Sequence, residues 1–228
     1  MLEWNNVLLQ RLQPKALLFD LDGTLVDSVP SLAQAVDAML HALGYPPAGE
    51  QQVRLWVGNA AERLIRRALA CGDETAALAL NKDVVACAGE HFNHHYMQAV
   101  QQAAKVYDGV EYMLANLPVP AALVTNKPRQ FTEPLLESLA WQSHIPVLIC
   151  GDDLATKKPS AEPLLFACQA LAVDATQALM VGDSRTDIAA ARAAGMACAA
   201  VTYGYNHGEP VAQSEPDWLL DNVLGLFA

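Results

Sequence analysis

Positive charge is scarce in this chain: 14 lysines and arginines face 25 aspartates and glutamates, a formal net charge of −11. No basic block offsets that excess, which argues against nucleic acid or an anionic membrane as a partner. An anionic ligand must therefore be held by a local cationic site. Cysteine is scarce as well. The five (Cys71, Cys87, Cys150, Cys168 and Cys198) are scattered, odd in number, and form neither a C-x-x-C pair nor a zinc spacing, so they read as reduced core thiols. No apolar stretch nears membrane-spanning length, and residues 1–20 lack a basic segment leading into a long apolar one with a small-residue cleavage site. A cytoplasmic location is expected. Internal repeats and low-complexity tracts are absent too.

What remains is a chain of 228 residues, 53% hydrophobic, enough for one full core and a smaller second unit packed against it. Short apolar runs recur between helical patterns: Ala16 to Phe19, Ala121 to Val124, Pro146 to Cys150, Ala178 to Val181 and Ala197 to Val201. Such runs suit strands buried on both faces of a parallel sheet, with helices as crossovers, so an α/β fold is expected. Four of the five run straight into polar residues or glycine: Asp20, Thr125 with Asn126, Gly151 with Asp152, and Gly182 with Asp183. In open α/β sheets ligands bind beyond the carboxyl ends of the strands, so these residues should converge.

Between about Ser28 and Ala104 the strand-like runs give way to helical spacing. Leu32, Val36, Met39, Leu40 and Leu43 make one face of a helix closed by Gly44; Leu64, Ile65, Ala68 and Leu69 make another closed by Gly72. Asn59 with Glu62 resembles a capping box at the start of the second. Residues 28–104 are thus expected to be an α-helical cap inserted into a core of residues 1–27 and 105–228.

Phe19-Asp20-Leu21-Asp22-Gly23-Thr24-Leu25 sets two carboxylates two residues apart at a strand end. Continued extended geometry would point both at one reacting centre. An ionised aspartate can attack phosphorus to form an acyl-phosphate, and a second carboxylate can protonate the departing alkoxide and then deprotonate water. Asp20 fits the first role and Asp22 the second. Their repulsion of a phosphate dianion calls for a metal such as Mg²⁺, with Asp20, Asp22, Asp183 and Asp187 as its expected carboxylates; Asp187 is also placed to bond a metal-bound water or a lysine. Lys158, before Pro159, supplies an ammonium, and Thr125 and Asn126 supply polar groups for the phosphoryl oxygens. In the helical segment, the backbone amides of Gly58 and Asn59, with Arg54 as helper, are expected to take an anionic part of the substrate.

These residues resemble the haloacid dehalogenase superfamily: a DxDGT motif at Asp20 to Thr24, a Thr-Asn motif at Thr125-Asn126, a lysine motif at Lys158-Pro159, and a GDxxxD motif from Gly182 to Asp187. The resemblance implies a Rossmann-like core with an inserted helical cap, and Mg²⁺-dependent hydrolysis of a phosphomonoester through an aspartyl-phosphate. Within the superfamily, Val124-Thr-Asn-Lys-Pro128, Gly151-Asp-Asp153, Lys157-Lys-Pro159 and Thr202 to Gly208 look like the bacterial phosphoglycolate phosphatases. That likeness implies a small phosphorylated organic acid, 2-phosphoglycolate, as substrate. A monomer or homodimer is expected. A departure is Ser160-Ala161 before Glu162-Pro163, where the lysine motif usually has an earlier second proline. A sugar-phosphate mutase would share every core motif and differ only in the cap, so it stays open as the alternative, as does a phosphatase for another small ester.

Overall fold

Ala16–Phe19, four apolar residues in succession, form strand β1, and none of the four is exposed to any degree. The computed structural model describes residues 2–4, 10, 12–58, 60–100 and 105–227. In it β1 lies inside a six-stranded sheet with β4 (Ala121–Val124), β5 (Val147–Ile149), β6 (Ala178–Gly182), β7 (Ala197–Val201) and β8 (Trp218–Leu220). The order is β5-β4-β1-β6-β7-β8 and every ladder is parallel, with Leu17 level with both Ala121 and Leu179. Strand alternation sends Leu17 and Phe19 into one apolar cluster and Ala16 and Leu18 into another, so the sheet is buried on both faces. The reversal of strand order beside β1 opens the crevice where ligands bind in such sheets.

A two-residue strand, β2 (Val26–Asp27), pairs antiparallel with β3 (Lys105–Val106). Among the described residues between them lie five helices: α1 (Val29–Ala42), α2 (Gly49–Trp56), α3 (Ala61–Leu69), α4 (Glu74–Ala79) and α5 (Lys82–Ala99). The helix α1 buries Leu32, Val36, Met39 and Leu40, carries proline in its first turn where no amide is lost, and ends ahead of Gly44 at φ +80°. The apolar faces of α1, α3 and α5 merge with the Leu17–Phe19 side of the sheet into one cluster that includes Phe92 and Tyr96. Burying each such side chain stabilises by roughly 1.5–3 kcal/mol. Crossovers between the later strands use α6 (Val110–Ala115), α7 (Arg129–Ser138), α8 (Glu162–Ala170) and α9 (Arg185–Ala193).

Two local expectations change. Helix α3 begins at Ala61 with Ala60 at its N-cap, no side chain caps it, and Glu62 instead accepts from Arg66 Nε at 2.9 Å. Asn59 lies outside the described residues. All five thiols are free, but Cys71 and Cys87 are exposed rather than in the core, because Cys71 lies in the turn after α3 and Cys87 is not on the buried face of α5. Among the described residues no helix is long and apolar enough to cross a membrane.

Candidate active site

Asp20 is the first residue past β1, and its N–H still donates to Val181 O at 2.9 Å, so the ladder fixes the backbone from which the carboxylate projects. Lys158, on the loop between β5 and α8, donates from Nζ to Asp20 Oδ1 at 2.6 Å and to Asp187 Oδ1 at 2.7 Å. The other oxygen of Asp187 accepts from the Ser184 amide at 3.1 Å and its hydroxyl at 2.7 Å, a capping box at the start of α9. Asp187 thus ties the helix start to the lysine. Asp183 is the first residue past β6; its Oδ2 accepts from the Tyr205 amide at 2.7 Å and its Oδ1 from the Thr24 hydroxyl at 3.4 Å. A Cβ on Gly23, at φ +93°, or on Gly204 would overlap the Asp183 side chain, so the chain needs glycine at both places to enclose it.

One carboxylate oxygen from each of Asp20, Asp183 and Asp187 lies within 4.8 Å of the others, and all three residues are buried. Burial pushes the Asp20 carboxyl up to about 7, against the pull of Lys158 and with the push of Asp187. Burial, Asp187 and Asp20 raise Asp183 well above the carboxylate range. For Lys158 burial works downward, but Asp187 and Asp20 outweigh it and hold the group as an ammonium. Three carboxylates against one ammonium leave the cluster short of positive charge. Its hard oxygen donors are the kind Mg²⁺ takes, so the residues present fit that ion.

The Asp22 carboxylate stands apart from these three. Its Oδ1 accepts from Lys127 Nζ at 2.9 Å, and Lys127 also bonds the Tyr96 hydroxyl, with Nζ 4.8 Å from the Tyr96 ring centroid. Extended geometry ends at Leu21, whose carbonyl accepts from Thr24, Leu25 and Val26 in a tight turn. Both aspartates still line one cleft, floored by Thr125, Asn126, Lys127, Lys158, Asp183 and Asp187 and covered from the helical segment by Leu32, Gly58, Leu64, Phe92 and Tyr96. The cleft holds about 740 Å³, part of it continuous with solvent. Thr125 Oγ1 accepts from the Lys127 amide at 3.1 Å, which leaves its proton to donate into the cleft. Asn126 Nδ2 donates to Lys158 O at 2.9 Å and so fixes the lysine loop.

Arg54 is not among the residues that line the cleft. Its guanidinium contacts Asp27 at 3.2 Å and Glu50 at 3.3 Å and lies over the Tyr205 ring, 5.3 Å from the centroid. Tyr205 links this pair to the site, because its hydroxyl donates to Asp27 Oδ1 at 2.7 Å while its amide holds Asp183. Sequence reasoning assigned no part to Lys127, Tyr96, Asp27 or Tyr205. The signal for Lys127 was present, since it directly follows Thr125-Asn126; Tyr96 is one aromatic on a long helix and had none.

The haloacid dehalogenase-like hydrolase family model matches residues 17–201. A phosphoglycolate phosphatase from Yersinia pestis is 45% identical over 216 residues, covering 93% of this chain and 91% of that protein. Phosphoglycolate phosphatase 1 from Pseudomonas aeruginosa is 44% identical over 224 residues, 94% of this chain and 79% of its relative. The crystal structure of a predicted phosphoglycolate phosphatase from Haemophilus somnus superposes with a TM-score of 0.85 at 35% identity, covering 92% of this chain and 95% of the other. Match and geometry agree: the motif residues that the family model spans are those gathered at the carboxyl ends of β1, β4 and β6, and the chain belongs to the haloacid dehalogenase-like hydrolases.

Proposed function

We propose that the protein hydrolyses 2-phosphoglycolate to glycolate and phosphate through a phosphorylated Asp20, with Mg²⁺ as cofactor. The observation that carries this is the split of the carboxylates: Asp20 sits beside Lys158 in a buried anionic cluster, while Asp22 faces the same cleft on a separate cation. Lys158 occupies Oδ1 of Asp20, leaving Oδ2 to attack phosphorus as the ester bond breaks. Asp22 gives its proton to the departing glycolate oxygen. It then takes one from the water that attacks the acyl-phosphate and frees Asp20. The Thr125 hydroxyl and the Lys158 ammonium meet the phosphoryl oxygens as charge moves onto them. Asp20 and Asp183, with Asp187 behind them, would hold Mg²⁺, which when bound orients the phosphate and screens its charge.

Residues 28–104 serve in this reading as a cap over a core of residues 1–27 and 105–228, hinged at the β2–β3 ribbon, and close the cleft against water. Gly58, just ahead of α3, lines the cleft, and in this reading its amide bonds a small anion. A panel of phosphate esters with purified protein and Mg²⁺ tests the assignment. 2-Phosphoglycolate should be turned over with the highest kcat/KM, and Asp20→Asn should reduce every ester to background while its circular dichroism stays that of the wild type. A preference for hexose phosphates, or conversion of a sugar phosphate to its isomer, would favour the mutase alternative instead.

A further inference from the structure

Lys127 carries a charge that the reaction scheme leaves without a task. The cleft is lined, among the described residues, by two cations: Lys158, committed to Asp20 and Asp187, and Lys127, whose side chain is 3% exposed and meets Asp22 and the Tyr96 hydroxyl. Burying an ammonium this far is costly unless each position around it is filled by a partner. Two partners of different origin take two of its three N–H donors here, Asp22 from the β1 end and Tyr96 from α5, so the ammonium lies where the helical segment meets the sheet.

We propose that Lys127 is the group that recognises the substrate's carboxylate, exchanging its bond to Asp22 for one to a phosphorylated 2-hydroxy acid. This rests on the phosphatase reading above, and the argument is geometric. In such an ester one carbon separates the carboxylate from the bridging oxygen. Asp22 must reach that oxygen to protonate it, and Lys127 Nζ lies 2.9 Å from Asp22 Oδ1. The ammonium is therefore within hydrogen-bond reach of the space the carboxylate must enter. Arg54, the cation of the helical segment that the sequence pointed to, is held on Asp27 and Glu50 and does not line the cleft. The other side chains of the cover, Leu32, Leu64 and Phe92, have no donor to offer, so beside Lys127 the cover has only neutral donors such as the Gly58 amide, and Phe131 packs with its ring centroid 4.8 Å from that of Tyr96. One carboxylate replaces another beside Lys127, so the exchange keeps its charge matched and turns Asp22 from a partner of the lysine into a partner of the ester. An ester without a carboxylate cannot make the exchange.

The test compares 2-phosphoglycolate with ethyl phosphate, in which a methyl group stands where the carboxylate would be. Wild type, Lys127→Met and Lys127→Arg are assayed with both, alongside Asp20→Asn as the blank. The ratio of the two kcat/KM values should favour 2-phosphoglycolate in the wild type and fall by about 10²-fold in Lys127→Met, the usual scale for stranding a buried charge partner. Lys127→Arg should restore part of that ratio. If Lys127→Met does not fold, Lys127→Gln, which keeps a donor for Tyr96 and removes the charge, is read in the same way. A ratio unchanged by loss of the charge overturns the role of Lys127 and leaves the substrate assignment standing. A wild-type enzyme that hydrolyses esters without preferring 2-phosphoglycolate overturns both, whereas an Asp20→Asn enzyme that still turns over would instead refute the covalent scheme.

Discussion

The floor and the cover of the cleft are built on different principles. On the floor, Asp20 and Asp183 directly follow strands, Asp187 sits in the first turn of α9 and Lys158 comes from the loop between β5 and α8, and each is held by bonds to at least one other fixed group. The cover is mostly apolar: Leu32 comes from α1, Leu64 from α3, Phe92 and Tyr96 from α5, and their positions follow from helix packing. The aromatic wall shows this, with Phe92 stacked on Tyr96 at 5.2 Å between ring centroids. A polar floor held by hydrogen bonds suits a reaction whose charge moves along one line, and an apolar cover suits exclusion of water. Lys127 belongs to both, since it springs from the end of β4 and reaches a hydroxyl of the cover.

The contrast breaks most sharply at the floor. Asp22→Asn keeps the shape of the acid but not its proton traffic, so kcat should fall by about 10²- to 10⁴-fold with little change in stability. Steady-state kinetics beside a urea melt checks both halves of that statement. Phe92→Ala should do the reverse. Phe92 is wholly buried, and truncation should cost about 3–5 kcal/mol of folding free energy, read from a urea melt, while kcat falls less than in Asp22→Asn.

The smallest effect sharpens the comparison through pH. Asp20 binds its proton more tightly folded than unfolded, about 7 against the ordinary 3.8. In chelator, the stability this contributes is fully present below the unfolded value and is lost as pH rises through about 7; Asp183 acts in the same direction. The metal-free protein should therefore melt at a lower temperature at about pH 8 than at about pH 5. Mg²⁺, which competes with those protons, should raise the melting temperature more at the higher pH. Scanning calorimetry with and without chelator at the two pH values measures it. The Phe92→Ala enzyme should keep the pH trend while its whole curve lies lower.

Legibility in the sequence follows the same division. Asp20, Thr125 and Asp183 could be found because a buried parallel strand is a continuous apolar run, and the residue that ends it is placed by the backbone alone. The edge strand β8 escaped that reading. Its three apolar residues stand between Asp217 and Asp221, too short a run to separate from a loop, and as an edge strand it leaves Leu219 half in water while Leu220 is buried. The two-residue β2 and β3 are strands only by virtue of each other. Asp187 was legible as a neighbour of the lysine, since its place in the first turn of α9 limits where it can point. The pairing of Asp22 with Lys127 was not, because it depends on a turn that ends the extended backbone at Leu21 and on a hydroxyl from α5. Arg54 was read as facing the substrate. Charge alone could not reveal that Asp27 and the Tyr205 ring would hold it beside the cleft.

The central claim is that the phosphoryl group is carried by Asp20 on its way to water, and its stereochemistry at phosphorus tests that most directly. An isotopically chiral thiophosphate analogue of 2-phosphoglycolate, hydrolysed in isotopically labelled water, reports how many in-line displacements have occurred. Each displacement inverts the phosphorus centre. Attack by Asp20 followed by attack of water makes two inversions, so the account predicts inorganic thiophosphate with net retention. Net inversion would mean that water attacks the ester in one step, and would contradict the role of Asp20 as nucleophile.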